Sequence, residues 1–356
     1  MAPSAHVPRN ASPGKEPGRW TGLLKIIGVI SAVLSFLLVL NQATGVLQTF
    51  RIHHKEFGEA MSAGQQEQGR EDYPAAFASF KHAVELDPID RTAQEQETKA
   101  AMLWLENARA NETQSFLDIV NQTLPVLDRA LANAKGSAAA DIVAHIALAN
   151  FLRFRSGAGQ GAGVDQSLQQ ALAIDKNNPY ANAILGLWTL WQHGSVDAAN
   201  ADFAAGLASG RKRDYVRDLQ VVALSDTNSD AGDKALLQIA NDMRKNGEAL
   251  SKARRAQALQ RVTGFRVTDH ARLVTVLSVL PPQEMLATYD WLNDGDNNQS
   301  DDKWAYRPFI EANLDEMSGQ RAQALEIYQT LKKGLARTYS LLGPQVDAAI
   351  KRLSSK

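Results

Sequence analysis

The sequence predicts an all-α protein, in which a single membrane-spanning helix near the N-terminus precedes a long array of helical hairpins. Apolar residues recur at helical spacing from Phe57 onward, and no run of residues alternates as a strand would. Gly, Pro, Asp and Asn interrupt the chain about every fifteen to twenty residues, as turns between short helices do. A charge-free stretch, residues 26–50, precedes this pattern.

Composition limits the classes of function. The 356 residues carry 38 Lys and Arg against 39 Asp and Glu, a formal charge of -1, which gives no electrostatic basis for nucleic-acid binding along the whole chain. The chain contains no cysteine, so disulfides, thiolate metal sites, iron–sulfur clusters and a cysteine nucleophile are excluded. We therefore expect no nucleic-acid partner and no thiol chemistry.

The N-terminal region predicts a tail and an anchor. Residues 1–20 hold four prolines among small and basic residues, with nothing apolar to bury, and predict a disordered polar tail. Residues 21–45 predict a transmembrane helix, because an apolar run of about 20 residues at ~1.5 Å per residue crosses ~30 Å of hydrocarbon. Arg19 and Trp20 stand where a basic and an aromatic interfacial anchor are expected.

A cleaved signal peptide is the alternative to this anchor. The sequence after the apolar run, residues 40–45, offers only a poor small-x-small cleavage site, which favours the anchor. Four basic residues up to Lys25 and three after the span form a weak positive-inside bias that places the N-terminus in the cytoplasm. The interpretation is a single-pass protein of a bacterial inner membrane, with its large C-terminal domain in the periplasm.

Residues 57–90 carry small and aromatic residues at fixed offsets. Gly64 and Ala76 stand where the two helices of a hairpin would cross, and their small size lets the helices approach closely. Tyr73 opens the second helix, Phe80 stands where it would fill the gap between successive hairpins, and Pro88 ends the unit.

Two later stretches, residues 164–209 and 303–335, repeat parts of this pattern. In the first of them, Gly186 matches the small residue in the first helix of a hairpin. Phe203 follows at the spacing of the second helix, displaced by one inserted residue in the turn at Gly194. The second keeps the small and aromatic positions Ala312, Gly319, Ala324 and Tyr328.

The three stretches resemble the tetratricopeptide repeat (TPR), a helical hairpin of about 34 residues. The resemblance implies that residues 51–356 form a TPR-like α-solenoid, in which the first helix of each hairpin lines a concave groove. The segments between the three stretches are helical but degenerate, which leaves the number of repeats open. A helix bundle, the alternative, would need longer helices and fewer small residues at fixed offsets.

The groove implied by the resemblance is a candidate protein-binding surface. The residues that map to the groove or near it are Tyr180, Ala183, Leu187, Leu190 and Trp191. Trp188, which lies on the same predicted helix, is expected in the core.

Family members that bind chaperone C-termini use Lys and Asn in this groove as a carboxylate clamp. Met61 and Gln65 occupy those positions in the first stretch, and Ala183 and Leu187 occupy them in the second. The sequence therefore argues against a co-chaperone of that kind.

Residues 244–272 form a local basic stretch, with eight basic side chains against two acidic ones. One interpretation is a solvated helix face that the acidic residues 294–302 balance. The other is a binding surface for an acidic partner or for anionic lipid head groups, in which Arg254, Arg255 and Arg261 are the candidate binding residues.

No pattern of catalytic or metal-ligating residues stands out. The seven histidines form no ligand pair with carboxylates at metal-binding spacing. Residues 156–163 are rich in Gly but follow a helix and lack a Walker Lys-Ser/Thr pair, so they predict a loop between helices. Residues 226–230 and 294–302 alternate oxygen-bearing side chains as calcium loops do, but both lack the required Gly and Glu. We expect no metal and no cofactor.

The sequence thus predicts a membrane-anchored TPR scaffold that binds and positions a protein partner, and not an enzyme. The alternatives are an accessory or regulatory subunit of a membrane enzyme complex, and an enzyme whose site is dispersed over several helices. A continuous apolar groove at residues 180–191 would favour the scaffold. A cluster of buried, mutually close titratable side chains would favour the enzyme.

Overall fold

The structure, a computed structural model, describes residues 53–108, 115–227, 229–264, 270–294, 303–336 and 342–355, and these residues form helices and connecting turns without a strand. This confirms the all-α prediction. The described helices are α1 (residues 53–69), α2 (Tyr73–Leu86), α3 (Arg91–Glu106), α4 (Phe116–Leu131), α5 (Gly136–Arg155), α6 (Gly161–Ile174), α7 (Pro179–Trp191), α8 (Val196–Ala208), α9 (Arg213–Asp226), α10 (Asp230–Asn246), α11 (Lys252–Gly264), α12 (His270–Leu277), α13 (Pro282–Asn293), α14 (Lys303–Met317), α15 (Arg321–Leu335) and α16 (Leu342–Ser354).

Several helices follow a residue whose side chain caps their first turn. A side-chain oxygen at this position accepts a hydrogen bond from a backbone N–H three residues later, a group that has no partner within the helix. Helices α2, α4, α7, α8 and α10 begin in this way, after Asp72, Ser115, Asn178, Ser195 and Ser229. The turn residues that punctuate the sequence therefore also fix the helix starts.

The chain divides into two compact units, Met1–Glu97 and Thr98–Lys356. The described part of the first unit consists of α1, α2 and the first turns of α3. Phe77 and Phe80 are buried in it, and small residues such as Ala83 and Ala93 complete its core. A Cβ atom added to Gly64 would lie 2.7 Å from the Phe80 ring, so glycine is what allows this ring to sit against α1.

In the second unit, neighbouring helices pack in pairs. Helix α4 packs against α5, α5 against α6, α7 against α8, α14 against α15 and α15 against α16. The odd-numbered helices also contact one another in succession, because α5 packs against α7, α7 against α9, α9 against α11 and α11 against α13. Helices α5, α7 and α9 therefore lie side by side, and this places residues that are distant in sequence on one face.

The close contact between Gly64 and Phe80 has counterparts in the second unit. A Cβ atom added to Gly186 of α7 would lie 2.8 Å from the fully buried ring of Phe203 on α8. Ala312 of α14 and Tyr328 of α15 are likewise fully buried, and the Tyr328 ring contacts Phe309. The three stretches singled out by their small and aromatic residues thus each bury an aromatic ring in a helix pair.

Helix α5 is the one described helix that is long and apolar enough to cross a membrane. It lies in the middle of the chain, and 61% of its most apolar stretch is buried against the rest of the protein, as in the core helix of a soluble domain. The predicted tail, residues 1–20, and the predicted anchor, residues 21–45, lie outside the described residues. The predicted Gly-rich loop does follow α5, although its last three residues, 161–163, form the first turn of α6.

Candidate functional site

The predicted groove residues all lie on α7, between α5 and α9. Tyr180, Ala183 and Leu187 are buried, and Leu190 is half-buried. Trp191, at the end of the helix, keeps 39% of its surface exposed. Most of the α7 face is therefore occupied by contacts within the chain, and Trp191 is its most accessible aromatic side chain. Trp188 is buried as predicted.

Trp191 belongs to a group of side chains at the start of α4 and near the C-terminal ends of α5 and α7, which we call the aromatic platform (Phe116, Phe151, Arg155 and Trp191). The buried Phe151 ring meets Trp191 nearly at right angles, with 5.5 Å between the ring centroids. The Arg155 guanidinium lies 5.2 Å from the Trp191 ring and 5.4 Å from the Phe116 ring. Such cation–π contacts attract a guanidinium to an aromatic ring.

Arginines from a second part of the chain act on the same region. Burial raises the pKa of the Asp226 carboxyl at the end of α9, and the positive charges of Arg155, Arg261 and Arg254 oppose this rise. Two residues of the predicted basic stretch, Arg254 and Arg261, are therefore close enough to influence the same carboxyl as Arg155 of the aromatic platform. No local sequence pattern predicts this convergence, because the residues lie on α5, α9 and α11.

Each of the three arginines predicted as a basic patch also has contacts inside the protein. Arg261 is only 9% exposed, and its Nε donates to Oδ1 of the buried Asp233 at 3.1 Å. Arg254 donates to the Gln257 side chain at 3.2 Å.

Arg255 holds the start of the acidic loop. Its Nη1 donates to the Trp291 carbonyl oxygen at 3.3 Å and to Oδ2 of Asp294 at 3.4 Å. This pairing is what the solvated-face interpretation expects at the first residue of the acidic stretch. Residues 295–302 lie outside the described residues, and binding of an acidic partner or of lipid by the basic stretch stays a prediction.

The opposite ends of α5, α7 and α9 carry a group of titratable side chains, which we call the polar cluster (Glu106, Asp141, His145, Tyr180 and Tyr215). His145 has no exposed surface, and its Nε2 lies 2.8 Å from Oε1 of Glu106. The Tyr180 ring lies between His145 and Tyr215, with centroid distances of 4.5 and 4.8 Å. Sequence reasoning missed this cluster, since Glu106 and His145 are 39 positions apart and share no motif.

The acceptors of the polar cluster are already engaged. The Asp141 carboxylate accepts hydrogen bonds from Asn178 at 2.6 Å and from Arg211 at 2.7 Å. Burial, together with the charge of Glu106, raises the pKa of the Tyr180 hydroxyl and that of the Tyr215 hydroxyl. Both phenols therefore stay protonated at neutral pH, and neither is suited to act as a base.

The described part of the chain contains no group of three or more His, Asp or Glu residues placed to hold a metal ion. The His145–Glu106 pair is not joined by a third ligand, because the remaining imidazole nitrogen faces a backbone carbonyl oxygen. The described residues thus offer two polar or aromatic sites, the polar cluster and the aromatic platform, which lie towards opposite ends of α5 and α7.

The chain matches no protein-family model, and no curated protein matches it.

Proposed function

We propose that the protein is a membrane-anchored, TPR-like helical scaffold that binds a protein partner and positions it near the membrane. Residues 21–45 are the anchor, and the helical domain lies on the periplasmic side of a bacterial inner membrane. The observation that carries the proposal is the exposed Trp191, buttressed by Phe151 and Arg155. A rigidly supported, solvent-accessible tryptophan is the kind of side chain that dominates protein–protein interfaces.

The packing of the helices supports the TPR-like part of the proposal. Successive pairs with contacts between odd-numbered helices are the arrangement that stacked helical hairpins produce. The pairs Gly64 with Phe80 and Gly186 with Phe203 repeat one close contact at nearly the same sequence separation. A repeated contact of this kind is expected where each hairpin uses the same small residue to admit the same aromatic ring.

We place the partner at the aromatic platform and not along the whole of α7. Tyr180 and Ala183 have almost no surface left for a partner, whereas Trp191 and Arg155 are exposed at the helix ends. Because Phe151 and Arg155 fix the indole, little side-chain entropy is lost when a partner covers it.

The polar cluster is the observation that favours the alternative, an enzyme with a dispersed site. A general acid or base must reach a proton of the substrate, and His145 has no exposed surface and has hydrogen bonds at both nitrogens. The Asp141 carboxylate is held by Asn178 and Arg211. The cluster therefore serves better as a structural link between helices than as a reaction centre, and we favour the scaffold.

Site-specific photocrosslinking tests the scaffold. A photoreactive phenylalanine analogue replaces Trp191 in the full-length protein in intact cells, and a matched variant carries it at Gln329, which is exposed on α15. We expect a discrete adduct with a second protein from position 191 and none from position 329. Absence of an adduct at position 191 would overturn the proposal. An adduct with an enzyme subunit would identify the accessory-subunit alternative.

Protease protection tests the proposed sidedness. The experiment treats intact cells, cells with a permeabilised outer membrane and cells with a disrupted inner membrane. We expect residues 51–356 to be digested once the outer membrane is permeable. Digestion only after disruption of the inner membrane would place the helical domain in the cytoplasm.

A further inference from the structure

Two aromatic rings contact the Arg155 guanidinium. It lies over the Phe116 ring and over the Trp191 ring, and the side chain is exposed to solvent. It forms no hydrogen bond and no ion pair within 4 Å with any residue in the part of the chain that the structure describes. The arginine is therefore fixed in position while its hydrogen-bond donors are unused.

Stacking leaves the edge of a guanidinium free. The five N–H donors lie in the plane of the group, and contact with an aromatic ring does not use them as hydrogen-bond donors to oxygen. Two parallel N–H groups match the two oxygens of a carboxylate, and the resulting bidentate, charge-assisted pair is both strong and directional. Arg155 thus presents a preorganised donor pair beside an exposed indole.

We propose that the aromatic platform docks a segment of the partner protein that carries an acidic residue. The carboxylate of its Asp or Glu side chain accepts two hydrogen bonds from Arg155, and a neighbouring apolar side chain of the same segment covers Trp191. This inference rests on the proposed scaffold function and names the chemistry of the partner.

Charge complementarity selects this occupant. Arg261 and Arg254 have acidic neighbours of their own, since Arg261 pairs with Asp233 and the Arg254 guanidinium lies 4.0 Å from Asp218. Arg155 forms no such pair with a described residue, although its positive charge acts on the nearby Asp226 carboxyl. Arg155 therefore offers a positive charge with unused donors beside Trp191. An acidic segment can pair with it directly, whereas a basic segment would be repelled.

The test uses the crosslinking variant at position 191 in the full-length protein, with a second substitution at Arg155. Arg155→Gln keeps a planar amide but removes the charge and the bidentate donors, and Arg155→Glu reverses the charge. The matched control is Arg153→Glu, which makes the same charge change in the same last turn of α5. We expect about a ten-fold or larger loss of the protein adduct with both Arg155 variants, because a charge-assisted hydrogen bond contributes that much to binding, and little loss with Arg153→Glu.

Mass spectrometry of the crosslinked peptide gives a second readout. We expect the captured segment to contain an Asp or Glu within a few residues of the crosslink, and the adduct yield to fall as salt is added. An adduct that persists in Arg155→Glu overturns this inference and leaves the scaffold in place, whereas loss of the adduct at position 191 in the parent variant overturns the scaffold itself. A crosslink to a lipid instead of a protein also overturns the inference. If the Arg155 variants unfold at the same temperature as the parent, the loss of binding is not caused by a loss of folding.

Discussion

Nε2 of the buried His145 lies 2.8 Å from Oε1 of Glu106, and its Nδ1 lies 2.7 Å from the backbone carbonyl oxygen of Asp141. A carbonyl oxygen only accepts hydrogen bonds, so Nδ1 donates. Nε2 then either donates a hydrogen bond to an ionised Glu106 carboxylate or accepts a hydrogen bond from a protonated Glu106 carboxyl. In both cases the pair shares one proton, and this proton joins the end of α3 to α5 inside the protein.

The first prediction concerns this shared proton. His145→Ala removes the partner of Glu106 in a buried position, and we expect it to lower the free energy of unfolding by about 3 kcal/mol, as breaking a buried ion pair does. Glu106→Gln is the matched variant. Its amide N–H can donate to Nε2 of a neutral His145, so we expect a loss of only about 1 kcal/mol. Urea unfolding of the full-length protein in detergent, followed by circular dichroism, measures both; equal losses would contradict the shared-proton link.

The second prediction compares two glycines of α1. Gly64→Ala places a methyl group 2.7 Å from the Phe80 ring, and we expect overpacking to cost about 1–3 kcal/mol. Gly58 lies in the same helix with open space where its Cβ would be, so Gly58→Ala should stabilise the helix by about 0.5–1 kcal/mol. Thermal unfolding of the two variants should therefore move in opposite directions. A Gly64→Ala variant as stable as the parent would show that the Phe80 ring moves aside at no cost.

The position of Gly64 at a close contact between two helices was predictable because it is local, although the ring that lies against it is Phe80, which was predicted to fill the gap between successive hairpins. Both residues belong to one hairpin, and the spacing of a small and an aromatic residue sets which helix faces meet. The same reasoning located Gly186 and the burial of Trp188. Where a contact is set by helical periodicity and one short turn, the sequence pattern is sufficient to predict it.

The polar cluster and the aromatic platform were not predictable in this way. Arg155 stacks on Phe116 from an earlier helix and on Trp191 from a later one. No local pattern connects these residues, because their proximity depends on how α4, α5 and α7 pack. The basic stretch shows the same limit, since the net charge of residues 244–272 gave no indication that Arg261 is buried against Asp233.

The third prediction separates the arginines of the basic stretch. Arg261→Met removes the ion-pair partner of the buried Asp233, and we expect it to lower the free energy of unfolding by about 3 kcal/mol. Arg254→Met changes a more exposed side chain that is 4.0 Å from Asp218, and we expect a cost below about 1 kcal/mol. Urea unfolding of both variants measures the difference. Similar costs for the two variants would contradict a structural role specific to Arg261.

The fourth prediction concerns the loss of stability at acid pH and the part that Glu248 has in it. Glu248 follows α10 and contacts α9. Burial raises the pKa of its carboxyl, but hydrogen bonds from Arg217 at 2.8 Å and Arg213 at 2.6 Å outweigh burial and lower the pKa below its ordinary value of 4.5. Because the folded pKa lies below the unfolded one, the contribution of Glu248 to stability is present above about pH 4.5 and is lost as the pH falls below it.

Glu248→Gln should therefore lower the free energy of unfolding at neutral pH by about 1–2 kcal/mol, since the two arginines lose an ionised acceptor. It should also make the loss of stability on acidification below pH 4.5 less steep than in the parent. Glu326→Gln is the control, because it removes an exposed carboxylate on α15 that makes no ion pair with a described residue. Unfolding measured across the acid range decides the matter: an acid dependence that is equally steep in the parent and in Glu248→Gln would show that the two arginines do not stabilise the ionised carboxylate.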